Sequence, residues 1–385
     1  MPATVPIRPW HVGIVGAGQL AKMMGEVAAE VGVEVTVLAL SSQDAAISNV
    51  DHVIFGAADD EDALVALSRV TDVITFDHEL VDLGVLERLE QRGVVVRPSA
   101  AALRFSVDKA VQREEFASVG FPIPACVTLH TTADLTILEA WMSTRDVAVV
   151  VKAARGGYDG RGVLFPHSRH EAIEMSRDLL LHGPVVVEER AALISEVAQL
   201  VVRSVNGEVV TYPLVTTVQS EGMCVEVRYP ATVEESVHEE ARRLGVAVAH
   251  HIGLVGVMAV EYFVTPRGLL INELALRPHN SGHWTIEGAA TSQFANHLRA
   301  VSGQTLGDAD ATSNAAVMVN VVGAEQPGSL DDARQVPDVY VHDYGKAWRP
   351  GRKLGHVTTV GNDAAALHVR AWQSARAYGT TTREA

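Results

Sequence analysis

The stretch VVVKAARGGYDGRGV, Val149 to Val163, decides how the rest of the chain is read. A β-branched run ends in Lys152, and four glycines then fall within seven residues, with Tyr158, Asp159 and Arg161 among them. Glycine amides approach an anion closely, and a lysine at a strand end neutralises it. A buried strand feeding such a loop is a candidate phosphate grip, to which Arg161 and Lys109 could add charge. The Walker pattern GxxxxGK[ST] is absent, so the grip is of another kind.

A second stretch says what such a grip would hold. GVMAVEYFVTPRGLLINELAL, 256–276, reads as a hairpin turning at Pro266-Arg267-Gly268. With the turn centred on Arg267, Glu261 lies six residues before the centre and Glu273 six after. In an antiparallel pair those positions face each other, with Cβ atoms about 5 Å apart. Both strands are otherwise apolar, and burying two like charges without compensation costs several kcal/mol. A divalent cation resolves the conflict. Mg²⁺ commonly takes one or two carboxylates plus nucleotide phosphates, Mn²⁺ is the alternative ion, and Asn272 offers an amide oxygen beside Glu273. The competing reading is a solvated hairpin face. In VVVEER, Glu188 and Glu189 end another strand and Glu196 follows; these could accept hydrogen bonds from an adenine amino group and ribose hydroxyls, or form a solvated acidic edge. Glycine loop, post-strand lysine and glutamate hairpin together describe a nucleoside triphosphate site.

The whole chain bounds the alternatives. Its 385 residues exceed one compact core and predict two or three domains. A net charge of −16 disfavours nucleic acid and anionic membranes as partners. Two distant cysteines, Cys126 and Cys224, give no disulfide framework or zinc ribbon. The apolar window 245–260 contains His250 and His251 and is too short to span a bilayer, and MPATVPIRPW lacks a signal core, so a cytoplasmic protein is expected. Residues 11–97 alternate strand and helix, with five strands ending in GVVVRP, and predict a doubly wound parallel sheet. GIVGAGQLAKM, 13–23, has a dinucleotide-type glycine turn at Gly16 and Gly18. No acid ends the following strand to hold a ribose, so an NAD role is disfavoured. A sterically required turn, or amides facing another phosphate, remain as readings. His279 and His283 are four apart, but HNSGH makes a poor helix for zinc.

KAARGGYDGRGV, NELALRPHNSGHWTIEGAATSQFANHLRA and DYGKAWRPGRKLGHV strongly resemble the N5-carboxyaminoimidazole ribonucleotide synthetases, ATP-grasp ligases of purine biosynthesis. The similarity runs from GAGQLAKM to GRKLGHV, and RPHNSGHW followed by RPGRKLGHV is its most specific part. The resemblance implies an α/β and α+β architecture: a doubly wound parallel-sheet domain at 1–103, an ATP-grasp domain at 104–304 with a mobile lobe near 121–186, and a small C-terminal domain at 305–385. It implies a homodimer and three small-molecule substrates, ATP, bicarbonate and aminoimidazole ribonucleotide, with Mg²⁺ as the metal. Lys109 and Lys152 are then expected on ATP phosphates, and Gly157, Tyr158, Asp159, Gly160, Arg161 and Gly162 in a flap over them. Glu188, Glu189, Arg190 and Ala191 line the adenine, Glu196 meets the ribose, Asn272 joins the ATP site, and Glu261 and Glu273 hold the metal. Tyr158, Asp159, Arg277, His279 and Asn280 line the bicarbonate and ribonucleotide side, with Lys152, Arg277 and Asp159 catalytic. Lys346, Arg352 and Lys353, a cationic cluster in an acidic chain, would clamp the ribonucleotide phosphate.

Five positions depart from the family pattern: Leu276 replaces a proline, Thr216, Thr217 and Gln219 stand where acidic, Asn and His residues are common, and Asp77 stands where Glu is common. A formate-using sister ligase and a nucleotide-binding regulator without turnover are the alternatives. RPGRKLGH opposes the first, and Lys152, Arg277 and both glutamates oppose the second.

Overall fold

The computed structural model describes residues 8–156, 162–220 and 222–380. Four parallel strands, β1 (Trp10–Val15), β2 (Val33–Ala39), β3 (His52–Phe55) and β4 (Val73–Phe76), lie in the order β3-β2-β1-β4. Apolar side chains point to both faces, as a helix-covered parallel sheet requires. Val12 and Ile14 pack beside α1 (Gln19–Val31), whereas Val15 and Leu38 join the cluster under α2 (Glu61–Val70). Asp60 caps α2, and Asp82 caps α3 (Leu83–Gln91).

The expected fifth strand does not form. Of GVVVRP only Val96 bridges to Ile74, with the Ile74 amide donating to Val95 and the Arg97 amide to Ile74, and the chain then enters the next helix. Ser99 instead caps a further helix, α4 (Ala100–Val107), and Asp108 caps α5 (Lys109–Val119).

A second, antiparallel sheet contains β5 (Cys126–Leu129), β6 (Val149–Ala153), β7 (Val163–Leu164) and β8 (Val185–Glu189), in the order β5-β8-β6-β7. Two-residue periodicity sorts its side chains. Val149, Val151, Val185 and Val187 pack on α6 (Leu135–Ser143) and α7 (Arg169–Leu180). Val150, Lys152 and Glu188 take the other parity and line a cleft. The opening stretch is therefore the β6–β7 connection, closed at its base by the Ala153 amide donating to the Gly162 carbonyl at 2.9 Å.

The third sheet is antiparallel and runs β14-β13-β9-β11-β12-β15-β17-β16, with β10 on β9. Its strands are β9 (Ser195–Arg203), β10 (Val209–Thr211), β11 (Val215–Ser220), β12 (Met223–Tyr229), β13 (Gly256–Thr265), β14 (Gly268–Ala275), β15 (Ala315–Val322), β16 (Tyr340–Asp343) and β17 (Lys353–Gly361). Helices α8 (Glu235–His251), α9 (Thr285–Gly288), α10 (Gln293–Ser302), α11 (Leu330–Gln335) and α12 (Ala364–Tyr378) complete the chain. The sheet crosses the expected boundary at 304/305 without a break, because β12 pairs with β15 from Glu226↔Val319 to Tyr229↔Ala316.

The glutamate hairpin has a different turn from the one expected. Thr265 pairs with Gly268, so only Pro266 and Arg267 form the loop, and that register alone would set Glu261 opposite Asn272. A bulge takes up Asn272 as an unpaired extra residue, and Glu261 faces Glu273 after all. The shift also lets Asn272 and Glu273, adjacent in sequence, both line the cleft.

Candidate functional site

A cavity of about 1750 Å³ opens between the three sheets. The central hairpin supplies its floor. Desolvation, then Glu273 and Glu196 beside it, push the Glu261 carboxyl up to about 8, against the opposing pull of Lys353 and Arg277. Two carboxylates forced together in this way are a fit for a divalent cation. Lys109, at the start of α5, donates to Glu273 Oε1 at 3.2 Å and partly neutralises the pair.

The second sheet supplies the wall above. Lys152 Nζ is 2.6 Å from Glu188 Oε2, and Arg113 Nε donates to Glu188 Oε1, also at 2.6 Å. Arg113 and Glu188 are 0% and 2% exposed, so this is an ion triad inside the protein. Burial would raise the Glu188 carboxyl, but Arg113 and Lys152 overrule it and hold it at about 2. Each Glu188 oxygen thus meets a cation, and Glu188 orients Lys152 while itself lining the cleft. Arg113 also donates to the Asn272 carbonyl at 2.7 Å, and Lys152 to Asn272 Oδ1 at 3.4 Å, so the triad is tied to the bulge of the hairpin. Glu189, Arg190 and Ala191 continue along the same rim. Glu189 accepts from Arg145 Nε at 3.1 Å, and Arg190 stacks on Phe165. Glu196 lines the cleft with its carboxyl raised by desolvation against the pull of Lys152.

The far side is built by the segment after β14. Arg277 pairs with Glu79 at 3.2 Å, and Glu79 also accepts from the Leu276 amide at 2.7 Å, so the N-terminal domain positions this arginine. His279 lies 3.8 Å from Glu261. Burial, then Arg277 and Lys353, pull it down to about 3, which leaves a neutral imidazole. Gln293 holds it on both sides, accepting from the His279 amide at 2.8 Å and donating to its carbonyl at 2.7 Å. Asn280 lines the cleft, and its side-chain nitrogen is buried with no hydrogen-bond partner among the described residues. His283 is buried against His356 and Phe294.

Of the three expected phosphate cations, Lys353 lines the cleft and Lys346 and Arg352 do not. They nevertheless gather: burial, then Arg352 and Lys353 against an opposing Asp77, bring the Lys346 ammonium down to about 8. Lys346 donates to Gln19 Oε1 at 2.5 Å, at the mouth of the N-terminal glycine turn. That turn is occupied from within. Asp77 Oδ2 accepts from the Gly18 amide at 2.9 Å and Oδ1 from the Ala21 amide at 2.8 Å, so those two amides do not face another phosphate. The expectations for Gly157, Tyr158, Asp159, Gly160 and Arg161 lie outside the described residues. Gly162 forms the loop base. Sequence reasoning missed Arg113, Glu79 and Gln293. Arg113 reads as one more charge on an amphipathic helix, and nothing in its neighbourhood signals a partner 75 residues away.

This arrangement, a nucleotide-sized cleft between two antiparallel sheets with lysines above and carboxylates below, defines the ATP-grasp class. Residues 114–294 match the ATP-grasp domain family, 10–106 the ribonucleotide synthetase preATP-grasp domain, and 316–370 the phosphoribosylaminoimidazole carboxylase C-terminal domain. The N5-carboxyaminoimidazole ribonucleotide synthase of Mycobacterium tuberculosis is 44% identical over 370 residues, 94% of this chain and 86% of that one. The Thermus thermophilus synthetase structure superposes with a TM-score of 0.87 at 32% identity, covering 97% of this chain and 100% of that one. An Aspergillus clavatus synthase structure with ADP and 5-aminoimidazole ribonucleotide gives 0.86 at 29% identity, covering 96% and 99%. The chain belongs to the N5-carboxyaminoimidazole ribonucleotide synthase family of ATP-grasp ligases.

Proposed function

We propose that this protein carboxylates 5-aminoimidazole ribonucleotide with bicarbonate at the expense of ATP, giving N5-carboxyaminoimidazole ribonucleotide, ADP and phosphate in purine biosynthesis. The observation that carries the reading is the facing pair Glu261 and Glu273 beneath Lys109 and Lys152, in one cleft with Arg277, on a chain of this family. Glu261 and Glu273 would hold Mg²⁺, or Mn²⁺ in its place. Such an ion supplies positive charge to the polyphosphate when bound.

A bicarbonate oxygen attacks the γ-phosphorus of ATP, the bond to the β-phosphate oxygen breaks, and carboxyphosphate and ADP result. Two anions must meet, so the barrier is electrostatic. Lys152, held by Glu188, and Arg277, held by Glu79, are cations whose positions are fixed before substrate arrives. The carbon–oxygen bond of carboxyphosphate then breaks, releasing phosphate. The 5-amino nitrogen bonds to the carbon and loses a proton. Neutral His279 and the spare donor of Asn280 are suited to bicarbonate oxygens. Lys346, Arg352 and Lys353 are assigned to the ribonucleotide phosphate, and Asp159 to the amine side. Closure of the β6–β7 connection over the cleft would exclude the water that destroys carboxyphosphate. Assembly as a homodimer and a cytoplasmic location belong to the same proposal; among the described residues no helix is long and apolar enough to cross a membrane.

The test is ADP release with each substrate omitted in turn. Full activity is expected only with ATP, bicarbonate and the aminoimidazole nucleotide together. Equal ADP formation with formate and glycinamide ribonucleotide would overturn the reading.

A further inference from the structure

The N-terminal sheet carries a second cluster of donor groups, at the end of its strands opposite the cleft. The parallel register sets His11 beside Glu34 on β1 and β2, and Thr36 beside His52 on β2 and β3. Side-by-side residues of a parallel pair share a face, and His11, Glu34, Thr36 and His52 all fall on the face that packs under α2. Donor atoms of His11, Glu34 and His52 lie within 4.8 Å of one another. The closest described approach is His11 Nδ1 to Glu34 Oε2, 4.0 Å, and the two imidazole centroids are 5.6 Å apart.

We propose that His11, Glu34 and His52 form a binding site for a divalent transition-metal ion of the Zn²⁺ type, separate from the nucleotide cleft. Two imidazoles and a carboxylate are a zinc donor set, with bonds of about 2.0–2.2 Å and a fourth position left for water. Drawing the donors together needs a movement on the order of an ångström, which Glu34 and His52 can make because both side chains are exposed. His11 is the fixed member. Its Nε2 lies 2.7 Å from Oγ1 of buried Thr36, which sets the ring with Nδ1 on the Glu34 side; the tautomer in which Nε2–H donates to Thr36 leaves the Nδ1 lone pair for an ion. Ligating histidines are oriented by this kind of outer hydrogen bond. Asp51 and Asp72, engaged with the Val35 and His11 amides, add negative field around the position. An ion here would clamp three neighbouring strands, β1, β2 and β3.

The experiment titrates the full chain with Zn²⁺ against a chromophoric chelator, in excess Mg²⁺ to occupy the cleft, and reads the melting temperature alongside. The wild type should take up one equivalent and melt higher with Zn²⁺. Glu34→Gln and His52→Ala alter exposed side chains and should keep the fold and the ligase activity, while weakening uptake by about 100-fold and abolishing the rise in melting temperature. Thr36→Val, which keeps all three ligands, should weaken uptake by about 10-fold. Uptake by either ligand variant equal to wild type, or no equivalent bound by the wild type outside the cleft, overturns the proposal.

Discussion

Two strand ends in this molecule carry glycines beside a helix or loop, and they treat negative charge in opposite ways. At the end of β1, the turn through Gly16 and Gly18 receives the chain's own carboxylate, Asp77, on the amides of Gly18 and Ala21. At the end of β6, Lys152 is held in a lined cavity by a buried glutamate and stands ready for an anion from outside. Glycine spacing reports only that a backbone can come close to an anion. Which anion arrives is decided by a residue far away in sequence: Asp77, 59 residues after Gly18, in the first region, and Glu188 with Arg113 in the second.

The comparison breaks most sharply at the buried triad. Arg113→Leu leaves Glu188 with one cation fewer in a dry site and should destabilise the protein by about 3–5 kcal/mol, read by urea unfolding; a loss below about 1 kcal/mol would show that Lys152 suffices alone. The same pair sets a pH signature. Glu188 is depressed from 4.5 to about 2 in the folded state, so its contribution is complete above pH 4.5 and drains away as pH falls toward 2. The acid limb of the unfolding curve should flatten in Arg113→Leu.

Next in size is Glu273→Ala. It should lower kcat by about 10²–10³-fold while circular dichroism and melting temperature stay close to wild type, since Glu273 is half exposed. Near-normal turnover at saturating Mg²⁺ would remove the hairpin from the chemistry. Asp77→Ala tests the first region. It bares two amides and should cost about 1–3 kcal/mol, and added phosphate should restore part of that loss relative to wild type. The smallest effect is the most diagnostic. A Cβ at Gly18 would sit 2.5 Å from Asp77 Oδ2, so Gly18→Ala should cost about 1–2 kcal/mol in the wild type and much less in the Asp77→Ala background. An undiminished penalty in the double variant would mean that the glycine serves the turn and not the carboxylate.

These contrasts also explain which parts of the molecule were legible. The helix at 19–31 and the four-stranded parallel sheet follow from local alternation, which one sequence displays in full. The fifth strand misled because Val94–Val96 has strand composition, while composition does not show how many of those residues find a partner on β4. The facing glutamates were read from a three-residue turn that the protein does not have. The actual loop is one residue shorter, and Asn272 bulges to restore the same pairing, a compensation invisible to counting. Lys152, Glu261 and Glu273 could be found because chemistry-bearing residues stand out against apolar strands, whereas Lys109, on a helix, was singled out by the family resemblance. Arg113, Glu79 and Gln293 could not, since each acts by holding another residue that is remote in the chain.

The unbroken third sheet limits how this enzyme could be rebuilt. Lys353 begins β17, which hangs on β15, which in turn hangs on β12 and the strands that carry the glutamates. A chimaera that exchanged everything after residue 304 for another protein's module would have to reproduce a strand ladder, and a one-residue slip would turn Lys353 to the opposite face. Recombination at a flexible tether tolerates such slips; a shared β-ladder does not, so the C-terminal part can be inherited only together with the strands it extends.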